Sequence, residues 1–162
     1  MNRLYLIKRQ HDRAIVEAER AIALDPNGAD ARYRLGQGLI WAGRPEEAAA
    51  SLERAIRMNP LAPATYFLNL GRAYRDSGRY EEAIGEFRKA IKRSPDNFYA
   101  HFGLAAAYSL AGRDEEARVE VAEVLKIYPK ASLVGSAKNL LYRNKADTDR
   151  IIDAMRKAGL PE

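Results

Sequence analysis

Three pairs of adjacent glutamates are the side chains that first suggest catalysis. Paired carboxylates can act together as general acid and general base. The pairs are Glu46-Glu47, Glu81-Glu82 and Glu115-Glu116. Each pair stands just after a turn glycine, and the position recurs regularly along the chain. Acidic side chains in the first turn stabilise the positive end of a helix dipole. The repetition therefore predicts charges at helix N-termini rather than an acid-base pair.

No other combination of residues predicts a catalytic or metal centre. Cysteine is absent, and the two histidines, His11 and His101, lie far apart with no second ligand at metal-binding spacing. Neither a GxGxxG nor a GxxxxGK[ST] phosphate-binding loop occurs. We interpret His11 as a turn residue and His101 as a packing residue. The sequence predicts no metal, no cofactor and no enzyme activity of its own.

The elements that would position any functional residue are clearest between Ala64 and Asn97. In the first half of this stretch, apolar and small residues occupy one stripe of a helix, and in the second half small residues alternate with an aromatic at helical spacing. The first stripe is Phe67, Leu70, Gly71 and Tyr74, and the second is Ala83, Phe87 and Ala90. Ser77-Gly78-Arg79 separates them as a turn. The pattern predicts two antiparallel helices that need copies of themselves on either side.

Copies follow at nearly constant intervals. Prolines at 26, 60, 95 and 129 are spaced by 34, 35 and 34 residues, and glycines at 43, 78 and 112 keep the same interval. These positions, with the recurring Leu-Gly and Tyr upstream of each turn, resemble the tetratricopeptide repeat. The resemblance implies an all-α, right-handed solenoid of about 3.5 repeats followed by two C-terminal capping helices. It divides the single domain 1–162 into a partial repeat (1–28), repeats at 29–63, 64–97 and 98–131, and capping helices at 132–162.

Composition sets further limits on the class of protein. The protein has 162 residues, with 27 basic and 22 acidic side chains giving a formal charge of +5. No apolar run approaches the about 20 residues of a membrane span, and the N-terminus has too short an apolar run for a signal peptide. We therefore expect a cytoplasmic protein without a membrane partner. The densest basic cluster, Arg88-Lys89 with Lys92-Arg93, lies on an outer helix, so nucleic acid is not a predicted partner.

The C-terminal part carries a second resemblance. We predict one helix over SLVGSAKNLLYRN (132–144) and a last helix opened by Ala146-Asp147 and closed by Gly159. Together with Tyr142, Arg150 and the ending Met155–Glu162, these residues look like the C-terminus of bacterial multidomain proteins in which a class III adenylate/guanylate cyclase domain precedes a tetratricopeptide array. One departure is Lys145, where that group has proline. The resemblance implies a regulatory or oligomerising signalling module without the catalytic domain.

The N-terminal stretch, residues 1–27, contains only the rear part of a repeat and carries Leu4, Tyr5, Leu6 and Ile7 early. An open solenoid end needs a cover. Two explanations are open: the protein is a piece of a longer one, or a second copy covers this end in a homodimer.

What the sequence offers for function is a surface. In the family that the sequence resembles, the first helix of each pair lines the concave side and contacts the partner. By register, the partner-binding residues are Tyr33, Gln37, Trp41, Leu68, Asn69, Arg72, Arg75, Tyr99 and Phe102. Such an aromatic-rich groove with two arginines suits a peptide that has apolar anchors and an acidic group. Alternatively, these aromatics only pack against neighbouring helices, or the C-terminal helices fold back over them.

One specific use of such grooves is not predicted. The chaperone adaptors of this family hold a C-terminal carboxylate with lysine, asparagine and arginine on the first helices, and only Asn69 matches that pattern here. We therefore expect a non-catalytic protein-protein interaction scaffold without a chaperone-tail clamp. Since Arg72 and Arg75 are assigned to partner contacts, replacing either by alanine is expected to leave thermal stability nearly unchanged.

Overall fold

The computed structural model describes residues 10–162, which form nine helices and no strand. The helices are α1 (His11–Leu24), α2 (Ala29–Trp41), α3 (Pro45–Met58), α4 (Ala64–Asp76), α5 (Tyr80–Arg93), α6 (Phe98–Leu110), α7 (Asp114–Ile127), α8 (Leu133–Asn139) and α9 (Lys145–Lys157). From α1 to α7, each helix packs on the next one in sequence. The predicted all-α array of helical hairpins is confirmed.

The turns inside the hairpins are built in one way. Gly43, Gly78 and Gly112 have φ between 75° and 79°, a conformation that glycine adopts without steric cost. In the first turn, Arg44 N–H donates to Leu39 O at 2.9 Å, and the glycine N–H donates to Ile40 O. This pair of bonds is a Schellman motif, which satisfies the last carbonyls of the helix. The regular glycines of the sequence therefore end α2, α4 and α6.

The start of each following helix explains the glutamate pairs. Arg44, directly after the first turn glycine, donates from Nε and Nη2 to Glu47 at 2.7 and 2.6 Å, and Arg79 and Arg113 bind Glu82 and Glu116 in the same manner. These bonds lower the pKa of Glu47, Glu82 and Glu116. The carboxylates are surface charges at helix starts, as the sequence predicts.

The core runs through the whole array. The small residues that recur in the second helices, Ala14, Ala48, Ala83 and Ala117, are fully buried. They let neighbouring helices approach closely, and the larger side chains Leu52 and Phe87 lie against glycines of neighbouring helices, Leu52 against Gly36 and Phe87 against Gly71 and Gly103. At the start of α6, the side chain of Asn97 accepts a bond from Ala100 N–H at 3.1 Å, as a helix cap does.

The C-terminal part differs from the prediction. We predicted a single helix over 132–144, but α8 ends at Asn139 and Leu140 has extended backbone angles. The prediction is therefore wrong from Leu140 onward. The reason is tertiary, because Arg143 N–H donates to Trp41 O at 2.7 Å on α2 instead of continuing the helix. Beyond this point α9 contacts both α8 and α6.

Candidate protein-interaction surface

The first helices of the three complete hairpins share one surface. Helix α2 contacts α4, and α4 contacts α6, so one side of each contributes to a continuous face. We call this the inner face, and its side chains include Tyr33, Gln37, Trp41, Asn69, Arg72, Arg75, Asp76 and Tyr99. The sequence predicts peptide contacts for this surface, so its exposure decides what it can bind.

One half of the inner face is covered by the protein itself. The tail segment, Leu140–Asn144, leaves α8 and runs without regular secondary structure to the C-terminal end of α2. Besides the bond from Arg143 N–H to Trp41 O, His11 Nε2 lies 2.7 Å from Leu141 O. The Arg143 guanidinium also pairs with Asp12 on α1. The tail segment therefore joins the first of the described helices to the last two.

Tyr142 is the centre of this covered half. Its side chain is 1% exposed, and its ring meets the Trp41 ring edge-on at a centroid distance of 4.8 Å. The hydroxyl accepts from Arg75 Nη2 at 2.7 Å and donates to Asp76 Oδ2. Burial raises the pKa of Tyr142, so the phenol stays protonated and can donate to the carboxylate.

The charges beneath Tyr142 are balanced within the protein. Arg75 Nε lies 2.9 Å from Asp76 Oδ1, and both side chains are almost completely buried. Arg150 of α9 reaches the same carboxylate at 3.5 Å. Burial by itself lowers the pKa of Arg75, but the adjacent Asp76 carboxylate and Tyr142 together more than offset this, and the pKa is raised. A buried ion pair with satisfied hydrogen bonds keeps its charges without a partner protein.

The other half of the inner face is not crossed by the tail segment. Its polar side chains form a connected network, in which Gln37 Nε2 donates to the Tyr33 hydroxyl at 2.9 Å and Asn69 Nδ2 donates to the same hydroxyl at 3.0 Å. Asn69 Oδ1 then accepts from Arg72 Nη1 at 3.2 Å. We call Tyr33, Gln37, Asn69, Arg72 and Tyr99 the open half. The hydrogen bonds hold Tyr33, Gln37, Asn69 and Arg72 in place before any partner arrives.

Aromatic rings surround Arg72 in the open half. Its guanidinium carbon lies 5.4 Å from the centre of the Trp41 ring and 5.7 Å from that of Tyr99. Burial lowers the pKa of Arg72, and the nearby Arg75 charge adds to this effect. Tyr33 stacks on Tyr66 at a centroid distance of 4.3 Å, and this contact restrains the Tyr33 ring of the network.

The aromatic surface continues from Tyr99 to the end of the repeat array. Tyr99 and Tyr128 are 53% and 51% exposed, and both rings meet Phe98 edge-on at 5.3 and 5.9 Å. Large exposed aromatics are uncommon among surface residues and frequent among residues that anchor a partner. This cluster extends the open half with apolar contact area.

The nine residues predicted from the sequence therefore differ in how exposed they are. The structure buries five of them, namely Trp41, Leu68, Asn69, Arg75 and Phe102, leaves Tyr33, Gln37 and Arg72 partly exposed, and leaves Tyr99 exposed. Trp41 and Arg75 lie beneath Tyr142, so a partner cannot reach them while the tail segment is in place. Tyr142 itself was not predicted as part of this surface. The only signal for it was a single tyrosine within an apolar stretch of the tail.

The histidines are used inside the fold. His11 is not in a turn, contrary to the prediction, because it is the first residue of α1 and its imidazole is buried against the tail segment. His101 packs as predicted, with Nδ1 at 2.7 Å from Glu120 Oε2 and Nε2 at 2.8 Å from Pro95 O. Over residues 10–162 no group of three or more metal-ligating side chains is found, and no helix there has the length and apolarity to cross a membrane.

Comparison with protein-family models gives two matches, both described as tetratricopeptide repeat. One covers residues 5–67 and the other residues 68–132. Together they include all three complete hairpins and α1. The models describe structural repeats rather than an enzyme, so this part of the protein is a non-catalytic repeat array.

Curated relatives match only part of the sequence and are far longer. Superkiller complex protein 3 of Mus musculus is 33% identical over 107 residues, which is 66% of this chain and 7% of the relative. The TPR repeat-containing thioredoxin TTL4 of Arabidopsis thaliana is 38% identical over 85 residues, which is 52% of this chain and 12% of the relative. The similarity is confined to a small fraction of each relative.

Solved structures match over almost the full length. MamA superimposes with a TM-score of 0.71 at 22% identity and covers 98% of this chain and 92% of its own. YrrB, described as a TPR protein with an unusual peptide-binding site, gives a TM-score of 0.66 at 20% identity, covering 97% of this chain and 80% of its own. At these identities the likeness concerns the fold.

Proposed function

Because the chain belongs to the tetratricopeptide repeat family, we propose that it is a non-catalytic scaffold that binds a segment of another protein on the open half of its inner face. The observation that carries this proposal is the exposed ring of Tyr99 beside the fixed network of Tyr33, Gln37, Asn69 and Arg72. A rigid set of aromatic and polar groups can bind with little loss of conformational entropy.

Two further facts support a polypeptide as the ligand. The open half is an elongated surface across three helices, not a closed cavity, which suits an extended segment better than a small molecule. YrrB, which shares the fold, is described as having a peptide-binding site. The exposed Tyr99 and Tyr128 would provide apolar contact beside the polar network.

The finer predictions from the sequence are separate proposals. They are a regulatory or oligomerising role in a bacterial adenylate/guanylate cyclase-like signalling protein, a homodimer through the N-terminal end, and a cytoplasmic location. Neither curated relative named above is a cyclase, and Leu4–Ile7 at the N-terminal end lie outside the described residues. A cyclase domain encoded upstream in the same reading frame would support the first, and light scattering of the purified protein would test the second.

Site-specific photo-crosslinking tests the main proposal. A photoreactive phenylalanine analogue replaces Tyr99 in the open half or, as a control, Val119, which is 61% exposed on the outer helix α7. The proposal expects a defined crosslinked protein from position 99 in the cells that produce the scaffold, and none from position 119. Equal crosslinking from both positions, or none from position 99, would contradict it.

A further inference from the structure

Arg72 carries a charge that has no ion-pair partner among residues 10–162, and the Asp76 carboxylate attracts it only from beyond ion-pairing distance. Within residues 10–162 its guanidinium makes one hydrogen bond, from Nη1 to Asn69 Oδ1, and no carboxylate lies within ion-pairing distance. A guanidinium has five N–H donors, so the edge formed by Nε and Nη2 has no partner among these residues. That edge is the one that binds a carboxylate with two parallel hydrogen bonds.

The neighbouring arginine on α4 shows the contrast. Arg75, three residues further on, is paired with Asp76 and bonded to Tyr142. Arginines at the turns are paired as well, as Arg79 is with Glu82. The inner face therefore holds one arginine in a direct ion pair, in the covered half, and one without a direct ion pair, in the open half.

The surroundings of Arg72 strengthen the interaction that a carboxylate of the partner would make with it. The guanidinium is partly buried between the Trp41 and Tyr99 rings, and both burial and the Arg75 charge lower its pKa. An opposite charge brought into a partly desolvated site interacts more strongly than one in open water. The net charge of +5 would also attract an acidic partner at long range.

The position of the guanidinium is fixed in advance. Asn69 Nδ2 donates to the Tyr33 hydroxyl and to Thr65 O at 2.9 Å, so its oxygen is held towards Arg72. The Trp41 ring, itself packed on Tyr142, lies on one side. Through Tyr142 and Trp41, the tail segment therefore helps to hold Arg72 in place.

We propose that Arg72 binds an aspartate or glutamate side chain within an internal segment of the partner, and that Tyr99 contacts an apolar residue next to it. This inference rests on the proposed function and names the chemistry of its ligand. An aspartate or glutamate is favoured over the terminal carboxylate of a polypeptide, because a terminal carboxylate is held by several donors and the Asn69 amide already makes two bonds within the fold.

Peptide selection, followed by affinity measurements on variants of the protein and of the peptide, tests whether Arg72 binds an acidic side chain. Random 16-residue peptides are displayed with their C-termini fused to a phage coat protein. The peptides then have no free terminal carboxylate, and any carboxylate they carry is an aspartate or glutamate side chain. Selection uses the full wild-type protein, and the enriched peptide is then synthesised with an amidated C-terminus. Its affinity is measured by fluorescence anisotropy for the wild type, for Arg72→Gln, and for Lys92→Gln, an exposed outer-helix control.

The expected result is enrichment of Asp or Glu beside an apolar residue, and a loss of affinity of about ten-fold or more in Arg72→Gln. Replacing the acid of the peptide by its amide should weaken binding to the wild type by a similar factor and leave binding to Arg72→Gln nearly unchanged. Lys92→Gln should bind as the wild type does. The peptide substitution needs no variant protein, so it remains decisive if Arg72→Gln folds poorly.

Two sets of results distinguish a failure of the carboxylate assignment from a failure of the proposed function. If enriched peptides lose affinity in Tyr99→Ala but contain no excess of acids, or bind Arg72→Gln within two-fold of the wild type, the carboxylate assignment is wrong and the binding surface stands. If no peptide is enriched, or if enriched peptides bind both Tyr99→Ala and Arg72→Gln as well as the wild type, the proposed function fails and the assignment fails with it.

Discussion

The Tyr142 hydroxyl accepts a hydrogen bond of 2.7 Å from Arg75 Nη2 and thereby links two parts of the protein that are 67 residues apart. Arg75 belongs to the middle hairpin, and Tyr142 belongs to the tail segment. The hydroxyl also donates to Asp76, so one phenol satisfies both members of a buried ion pair. This link determines which half of the inner face is closed.

Removing the hydroxyl should destabilise the whole array. Tyr142→Phe keeps the ring against Trp41 but leaves Arg75 and Asp76 each without one buried hydrogen bond, which costs about 1–3 kcal/mol. Urea unfolding followed by circular dichroism measures the change. Tyr128→Phe is the matched control, because its ring is 51% exposed, and it should unfold as the wild type does. A Tyr142→Phe variant equal in stability to that control would show that the hydroxyl contributes nothing.

The two arginines of α4 should respond differently to truncation. Arg75→Ala leaves Asp76 in a buried site with Arg150, at 3.5 Å, as its remaining ion-pair partner among the described residues, and breaking such a pair costs about 3–5 kcal/mol. Arg72→Ala loses one hydrogen bond and contacts with two rings, which is expected to cost less than about 2 kcal/mol. The expectation from sequence, that neither change affects stability, is thus revised for Arg75.

Thermal melts of the two variants decide this point. The expected order is wild type, then Arg72→Ala slightly lower, then Arg75→Ala much lower. If Arg72→Ala were the less stable of the two, the guanidinium in the open half would be a structural group rather than a free binding group. The proposed carboxylate contact of Arg72 would then lose its basis.

The repeat array could be predicted because its signals are local. Turn glycines and the Asn97 cap each act within one or two helical turns, and the small residues of the second helices act between helices that are neighbours in the sequence. Their recurrence at intervals of 34 or 35 residues then fixes how the hairpins stack. Periodicity is sufficient wherever a helix packs on its neighbours in the sequence.

The covered half of the inner face could not be predicted in this way. Leu140 and Leu141 continue the apolar spacing of α8, so local pattern favours a longer helix. What ends the helix is a set of contacts with residues about 100 or more positions away, such as Arg143 with Trp41 and Leu141 with His11. Register predicted that Trp41 and Arg75 lie on the face that the first helices share, but it carried no information about what lies over them.

Stability at high pH should depend on Tyr74. Its hydroxyl donates to Glu53 Oε1 at 2.8 Å, and burial, with this bond to Glu53, raises the pKa of Tyr74 to about 12. Because the folded pKa lies above that of the unfolded state, about 10, the contribution of Tyr74 is complete below pH 10 and is lost as pH rises towards 12. The stability difference between wild type and Tyr74→Phe, measured by urea unfolding from pH 8 to 11.5, should therefore decrease above pH 10. A difference that is constant over this range would contradict the raised pKa.

The close approach of α4 and α6 to Phe87 makes the sharpest test of packing. Phe87 is fully buried, and a Cβ added at Gly103 would lie 2.6 Å from Phe87 Cζ, while one at Gly71 would lie 2.9 Å from Phe87 Cδ1. Gly103→Ala should therefore cost about 1–3 kcal/mol through overpacking. Gly85→Ala is the matched control, because it lies within α5 with nothing within 4 Å of the added atom, and the helix propensity of alanine should stabilise it by up to about 1 kcal/mol. Urea unfolding should therefore show changes of opposite sign in the free energy of unfolding for the same glycine-to-alanine replacement at two helix positions. If Gly103→Ala stabilised the protein as Gly85→Ala does, the hairpins would not be packed as closely around Phe87 as the structure places them.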